Sequence, residues 1–352
     1  MTAATIDTPA VLIDLDTAEA NIRGYQRYCD EHGLKLRPHI KTHKLPRLAE
    51  YQLAQGAVGI TCQKVSEAEA MVNAGQMQDV LITYNILGEA KVARLRQLAE
   101  RVNISVVADN LVVANGLSLG FADAERPLPV LVECNTGAER CGVPTPQGAA
   151  DLALGIAALP GLVFAGLMTY PPAGQPDKVA AWLSEARDLI LAQGMDVPVI
   201  SSGGSPDMWH AHEVPIATEY RVGTYVYNDR SLVERKVCGW QDCALTVLST
   251  VVSVADNHAI IDAGSKALTS DLLGLEGHGF VPDRPNLFID QLSEEHGRVI
   301  SRDGPLDLQV GDRLRIVPNH ACVVSNLFDT VVLLRGDRHV GEARVAARGQ
   351  VW

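Results

Sequence analysis

No uninterrupted apolar run in this 352-residue sequence is long enough to span a bilayer. The N-terminal stretch "MTAATIDTPAVLIDLDT" has acidic residues where a secretory leader needs basic ones, so neither a membrane anchor nor an export signal is expected. Short repeats and low-complexity tracts are also absent. Positive charge is scarce: 30 Lys and Arg stand against 42 Asp and Glu, a formal net charge of −12. Such a surface repels nucleic acid and anionic membrane, and neither is expected as a partner. The cysteines, Cys29, Cys62, Cys134, Cys141, Cys238, Cys243 and Cys322, are odd in number and share no repeated short spacing. A disulfide framework is therefore not expected, and the reading is a cytoplasmic protein whose cysteines mostly serve as small buried hydrophobes. Cys322 is the exception.

What is present suits a soluble globular protein. A hydrophobic content of 47% with 20% charged residues can bury a substantial core. The length calls for one large α/β domain with an appendage, or for two domains. From Lys35 to about residue 229, β-rich runs such as "DVLITY", "NISVVAD", "PVLVECN" and "FAGLMTY" alternate with segments of helical period such as "GEAKVARLRQLAER" and "QPDKVAAWLSEARDLILAQG". Several helical segments end in Gly, as a left-handed cap prefers. Eight strands over roughly 200 residues are the size of a parallel (β/α)8 barrel. Beyond Arg235 the pattern changes to strands split by Gly, Asp and Asn turns, as in "CALTVLSTVVSVAD" and "FDTVVLLRGDRHVGEARVAARG", which reads as a β domain. The early strand "AVLIDL" either leads into the barrel or joins the β domain. With the latter, the chain divides into residues 1–15, 16–235 and 236–352.

The stretch "RPHIKTHK", Arg37 to Lys44, packs five basic or titratable side chains around one proline in an acidic chain. Most charge clusters are solvated surface. This one falls where Lys41 is expected to end the first barrel strand, and barrel enzymes carry their chemistry at those strand ends.

Further motifs follow in order: "CQKVSEA", "ERCGV", "SSGGS", "TEYRVGTY", "DAGSK", "SEEHG" and "PNHAC". Together, over almost the whole chain, they resemble the D-threonine aldolase and D-serine dehydratase group of pyridoxal-phosphate enzymes, which has the alanine racemase-like fold type III: a barrel plus a C-terminal β domain. The resemblance implies that Lys41 carries pyridoxal 5'-phosphate as a Schiff base, for which an amine that can later move a proton is suited. His39, His43 and Lys44 are expected to supply positive charge that keeps Lys41 partly neutral. Ser202, Gly203 and Gly204 in "SSGGS", with Gly223 and Thr224, would hold the phosphate on backbone N–H groups. Arg221 would face the pyridine nitrogen and leave it unprotonated; a surface ion pair with Glu219 is the alternative. Gln63, Arg140, Thr169 and Tyr170 match positions that line the ring, and each could instead be barrel packing or capping.

His320 and Cys322, read as an i, i+2 pair on a strand, project to one face, and imidazole with thiolate suits Zn2+. Two protein ligands leave positions open for substrate, where the metal can draw on a β-hydroxyl. Within the family, His-x-Cys resembles the D-serine dehydratases, whereas D-threonine aldolases usually show His-x-Asp and favour Mn2+ or Mg2+. The chain also departs from the family by lacking the histidine that commonly follows the strand matching "LMTY"; here Tyr170 is followed by Pro171 and Pro172. Retro-aldol cleavage must remove the β-hydroxyl proton, so this favours elimination. The expected activity is a metal-dependent lyase of D-3-hydroxy amino acids of D-serine dehydratase type. Aldolase activity is the alternative, followed by an amino-acid racemase and a non-catalytic cofactor-binding protein. The resemblance further implies a homodimer with shared active sites, with Asp262, Lys266 and His296 facing a site partly in the partner subunit.

Overall fold

A computed structural model describes residues 6–352; the first five residues of the 1–15 segment lie outside the described residues. The chain divides into two compact units. One holds residues 25–41, 46–223 and 350–352, the other residues up to Gly24 together with 42–45 and 224–349. The division thus falls at 24 and 224 rather than at 15 and 235.

The chain opens with strand β1 (Ala10–Asp14) and helix α1 (Leu15–Glu31). Eight parallel strands follow: β2 (Lys35–Leu36), β3 (Ile60–Cys62), β4 (Asp79–Asn85), β5 (Asn103–Ala108), β6 (Leu128–Cys134), β7 (Leu162–Thr169), β8 (Val199–Ser202) and β9 (Glu219–Tyr220). They form one sheet in the order β2-β9-β8-β7-β6-β5-β4-β3. Its two ends meet. His39 bridges Thr61 in parallel, Thr61 N donates to Pro38 O at 2.8 Å, and Val58 N donates to Leu36 O at 2.9 Å. The eight strands therefore close into a barrel.

Helices α2 (Pro46–Ala54), α3 (Val65–Ala74), α4 (Glu89–Ala99), α5 (Leu111–Phe121), α6 (Pro146–Ala158) and α7 (Pro176–Ala192) connect β2 through β8. Sequence chemistry sets their ends. Asn110 accepts from Val113 N ahead of α5, and Thr145 accepts from Gly148 N ahead of α6, which has Pro146 in its first turn. Gly56 and Gly194 take the left-handed conformation after α2 and α7, at φ 118° and 79°. Gly75 does not: it leaves α3 extended, at φ −153°. The β8–β9 crossover holds only a 3-10 turn, Met208–Glu213. "EYRVGTYVY" is strand only at Glu219–Tyr220, then turns into a 3-10 segment, Thr224–Val226. Strands β5 to β7 read as near-continuous apolar runs because both of their faces are covered. Leu81, Val107, Leu131 and Met168 pack together as a core layer.

The second unit is a mostly antiparallel sheet built from β10 (Leu245–Val254), β11 (Ala259–Ile261), β12 (Leu287–Leu292), β13 (Gly297–Ser301), β14 (Arg313–Ile316), β15 (Thr330–Arg335) and β16 (Arg338–Arg344). Strand β1 lies within it, antiparallel to β10 and parallel to β15. Leu12 of β1 packs with Leu248, Val332 and Leu334. Three short helices, α8 (Arg230–Glu234), α9 (Ser265–Leu268) and α10 (Ala321–Leu327), interrupt the strands. Among the described residues no helix is long and apolar enough to cross a membrane.

Candidate active site

Lys41 does not end a strand. Pro38 has no N–H to extend β2, His39 makes the last bridge, and Lys41 sits in a single 3-10 turn, Ile40–Thr42. The barrel rule located it; the local structure differs. Its backbone N–H donates to His39 Nδ1 at 3.4 Å, and His39 Nε2 lies 3.0 Å from Gln63 Oε1. Gln63 Nε2 in turn donates to Thr83 O at 2.7 Å, which fixes the amide so that Oε1 accepts from His39. His39 is thereby held as the neutral Nε2–H tautomer. Burial pushes its pKa well below the ordinary histidine value, and the charges of Lys41, Arg221 and Arg140 push the same way.

The expectation that His39, His43 and Lys44 form a positive cluster about Lys41 is therefore corrected. His39 is uncharged. His43 Nδ1 accepts from Leu45 N at 3.0 Å, and Lys44 donates to Asn326 Oδ1 at 2.9 Å, both within the second unit. Arg37 belongs to an ion cluster with Asp79 and with Glu219, the latter at 2.7 Å.

Arg221 is buried, not a surface ion pair. Its Nε donates to Ser201 Oγ at 2.9 Å and its Nη2 to Thr169 O at 2.6 Å, while Ser201 Oγ donates to Glu219 Oε1 at 2.6 Å. Burial lowers the guanidinium to about 10 against the opposing pull of Glu219 and Glu133, so it stays a cation at neutral pH. Thr169 is wholly buried, donates to Cys134 O and lies 2.9 Å from Thr136 Oγ1, a link that joins the ends of β6 and β7. Arg140 lies over the ring of Tyr170 at 4.5 Å from its centroid.

The "SSGGS" loop fits a phosphate. Ser202 Oγ is buried without a hydrogen-bond partner among the described residues, an arrangement that disfavours folding unless an acceptor or donor arrives. At Gly203 an added Cβ would lie 2.0 Å from Arg221 O, so only glycine lets the two backbones run together. Tyr220 OH donates to Gly204 O at 2.8 Å and pins the loop. A cavity of about 430 Å³ opens beside it, with Ser202, Tyr220, Asp207, His210, Pro171 and Pro172 in its lining. The two prolines thus form part of its wall. Gly223 is the last residue of the barrel unit before Thr224 starts the second.

In the second unit, His320 and Cys322 do converge, but not on a strand. His320 is the residue before α10, at φ −139°, and Cys322 lies in that helix's first turn. The buried carboxylate of Asp229 sets the junction: it accepts from Ala321 N at 3.0 Å and from Ser231 Oγ at 2.7 Å. His320 Nδ1 lies 2.7 Å from Asp271 Oδ2, so Nε2 is the nitrogen left for a ligand. Burial lowers the His320 pKa, but the hydrogen bond and charge of Cys322, with Asp271 and Asp229, outweigh it and raise the group to about 9. Cys322 Sγ lies 3.1 Å from Thr42 Oγ1 and 3.5 Å from Thr224 Oγ1. The hydroxyl of Thr224, expected at the phosphate, therefore faces the thiol. No group of three or more His, Cys, Asp or Glu able to hold a metal occurs among the described residues. The imidazole–thiol pair with a carboxylate behind the imidazole nonetheless fits a divalent ion that keeps open positions.

Four residues escaped the sequence reading, Asp229 at the junction before α10 among them. Asp271 and Thr42 support the ligand pair from 49 and 280 positions away, and nothing local signals them. Glu133 carried a signal, a lone carboxylate inside the apolar run "VLVEC". Asp262 is engaged within its own unit, accepting from Thr8 and Ser249 hydroxyls at 2.6 and 2.7 Å. Lys266 pairs with Glu295 at 2.6 Å, and His296 is exposed.

The profile of the alanine racemase N-terminal domain matches residues 13–231, more than half of the chain, and a serine dehydratase domain profile matches residues 244–334. A D-threonine aldolase from Arthrobacter sp. is 35% identical over 360 residues, 98% of this chain and 94% of that one. The crystal structure of D-threonine aldolase from Filomicrobium marinum, 32% identical, superposes with a TM-score of 0.91 over 100% of this chain and 98% of that one. A D-threo-3-hydroxyaspartate dehydratase mutant in a metal-free form, 29% identical, superposes with a TM-score of 0.89 over 100% of both chains. Alanine racemase of Clostridium difficile, at 13% identity and a TM-score of 0.74, shares the fold. With both domain profiles in order and relatives similar over their whole length, this chain belongs to the alanine racemase-like family of D-threonine aldolases and D-serine dehydratases.

Proposed function

We propose that the protein is a pyridoxal-phosphate- and divalent-metal-dependent lyase that eliminates water from a D-3-hydroxy amino acid, the released enamine then taking up water to give a keto acid and ammonia. The observation that carries this reading is the His320–Cys322 pair, backed by Asp271 at 2.7 Å. It is a soft donor set that favours zinc over Mn2+ or Mg2+.

When bound, the cofactor would draw electron density from the α-carbon and the metal would polarise the β-hydroxyl. This chain's residues supply the rest. Lys41 Nζ anchors the cofactor and takes the α-proton. Ser202, Gly203, Gly204 and Gly223 hold the phosphate. His39 and Gln63, a neutral hydrogen-bonded pair, would line the ring together with Arg140, Thr169 and Tyr170. Arg221 keeps its own proton and gives none to the ring nitrogen. Thr42 and Thr224 orient the Cys322 sulfur. Pro171 and Pro172 offer no base for the β-hydroxyl proton, which favours hydroxide loss over carbon–carbon cleavage. The same reading takes the protein to be cytoplasmic and homodimeric, with each site completed by the partner subunit.

Similarity favours a second outcome. The 35% identity to a D-threonine aldolase supports retro-aldol cleavage to glycine and an aldehyde on the same residues. Product analysis separates the two: protein loaded with zinc and cofactor is offered D-serine, D-threonine and D-3-hydroxyaspartate in parallel. Keto acid with ammonia supports elimination, and glycine with aldehyde overturns it in favour of cleavage.

A further inference from the structure

Glu133 is a buried carboxylate that neither the motifs nor the mechanism above employs. On β6 it stands two residues beyond Leu131, which packs in the core layer with Leu81, Val107 and Met168. Alternation along a strand directs both side chains to the same face, so Glu133 continues that layer toward the C-terminal mouth. Its partner in register on β7 is Met168, and the next pair is Cys134 with Thr169. The Arg221 guanidinium donates to the carbonyl of that Thr169, and the Arg140 guanidinium lies over the ring of the following residue, Tyr170. Two cations thus sit at the end of β7 beside the strand that carries the anion. Burial raises the Glu133 carboxyl to about 6, opposed first by Arg221 and then by Arg140, with Asp109 adding to the rise.

We infer that Glu133 is a positioning residue, whose carboxylate holds the guanidinium groups of Arg140 and Arg221 in place around the ring site. The inference rests on the proposed attachment of the cofactor to Lys41. Without Glu133, buried Arg221 beside a second cation would keep only the charge of Glu219, reached through Ser201, against that repulsion, and a displaced guanidinium at a reacting ring slows the chemistry more than it weakens binding. His39 feels the charges of Lys41, Arg221 and Arg140 together, so the Lys41 amine shares the field that Glu133 offsets.

The test uses the holoenzyme with Glu133→Gln, close to isosteric, and Glu133→Asp as the conservative variant. Far-UV circular dichroism should be unchanged in both. In E133Q kcat should fall about 10-fold or more while KM moves less than about threefold. The pH midpoint of the absorption band of lysine-bound pyridoxal phosphate should move to lower pH, because lost negative charge disfavours the protonated imine. E133D should recover part of both changes. Wild-type kcat with an unmoved midpoint in E133Q would overturn the inference, and so would a loss shared equally by both variants together with their secondary structure. Absence of any borohydride-reducible band in the wild-type protein would instead overturn the assignment of Lys41.

Discussion

His39 and His320 are both partly or wholly withdrawn from water, yet they are driven in opposite directions. His39 sits among cations, and burial with the charge of Lys41 holds it neutral. His320 sits among anions, and Cys322, Asp271 and Asp229 overcome burial to raise it to about 9. Burial alone does not decide a histidine's state; the sign of its neighbours does. In the barrel, burial consequently favours the uncharged form of the His39 imidazole and of the Glu133 carboxyl. The β unit presents a concentrated negative set that a cation can enter.

The largest effect expected from breaking this contrast is on the cationic side. Lys41→Ala should lower turnover by about 10³-fold or more, since it removes both anchor and proton acceptor; exogenous amine rescue of the residual rate would sharpen the assignment. On the anionic side, His320→Ala and Cys322→Ala should each lose bound zinc and activity together, read by metal analysis of the dialysed protein. Full activity in chelated wild-type protein would remove the metal from the account. Asp271→Asn, which keeps the shape but not the charge behind His320, should weaken metal affinity by about 10- to 100-fold.

A smaller effect concerns stability and pH. The Glu133 carboxyl lies at about 6 in the folded chain against an ordinary 4.5, so the folded state binds its proton more tightly. Its contribution of about 2 kcal/mol is present below the lower value and lost as pH rises through the higher one. Glu133→Gln cannot titrate, and its stability relative to wild type should improve by about 2 kcal/mol between pH 4 and pH 7. His39 acts with the opposite sign, costing stability as pH falls below the ordinary histidine range, but it is common to both proteins and cancels in the comparison. Denaturation of cofactor-free protein at the two pH values measures the difference. Gly203→Ala, whose Cβ would lie 2.0 Å from Arg221 O, should destabilise by about 1–3 kcal/mol and weaken cofactor retention.

The same two regions differ in how far the sequence disclosed them. The barrel was legible because parallel strands buried on both faces must be apolar runs, and their ends place Lys41, Gln63, Ser202 and Arg221 by rule. What the runs could not show was backbone detail, such as the 3-10 turn Ile40–Thr42 that holds Lys41. In the β unit the His-x-Cys pair was visible, but its setting was not. The junction depends on Asp229 and Asp271, 92 and 49 residues from the groups they hold, and on α10, too short to announce itself by periodicity. Glu133 lay between these cases, visible as a misplaced charge yet interpretable only once β6 and β7 were in register.

The account turns on which lysine carries the cofactor. Borohydride reduction of the loaded protein, followed by peptide mapping with mass spectrometry, tests it most directly. A pyridoxyl group on the peptide containing Lys41, and on no other, is the predicted result; label on Lys44 or Lys64 would contradict it.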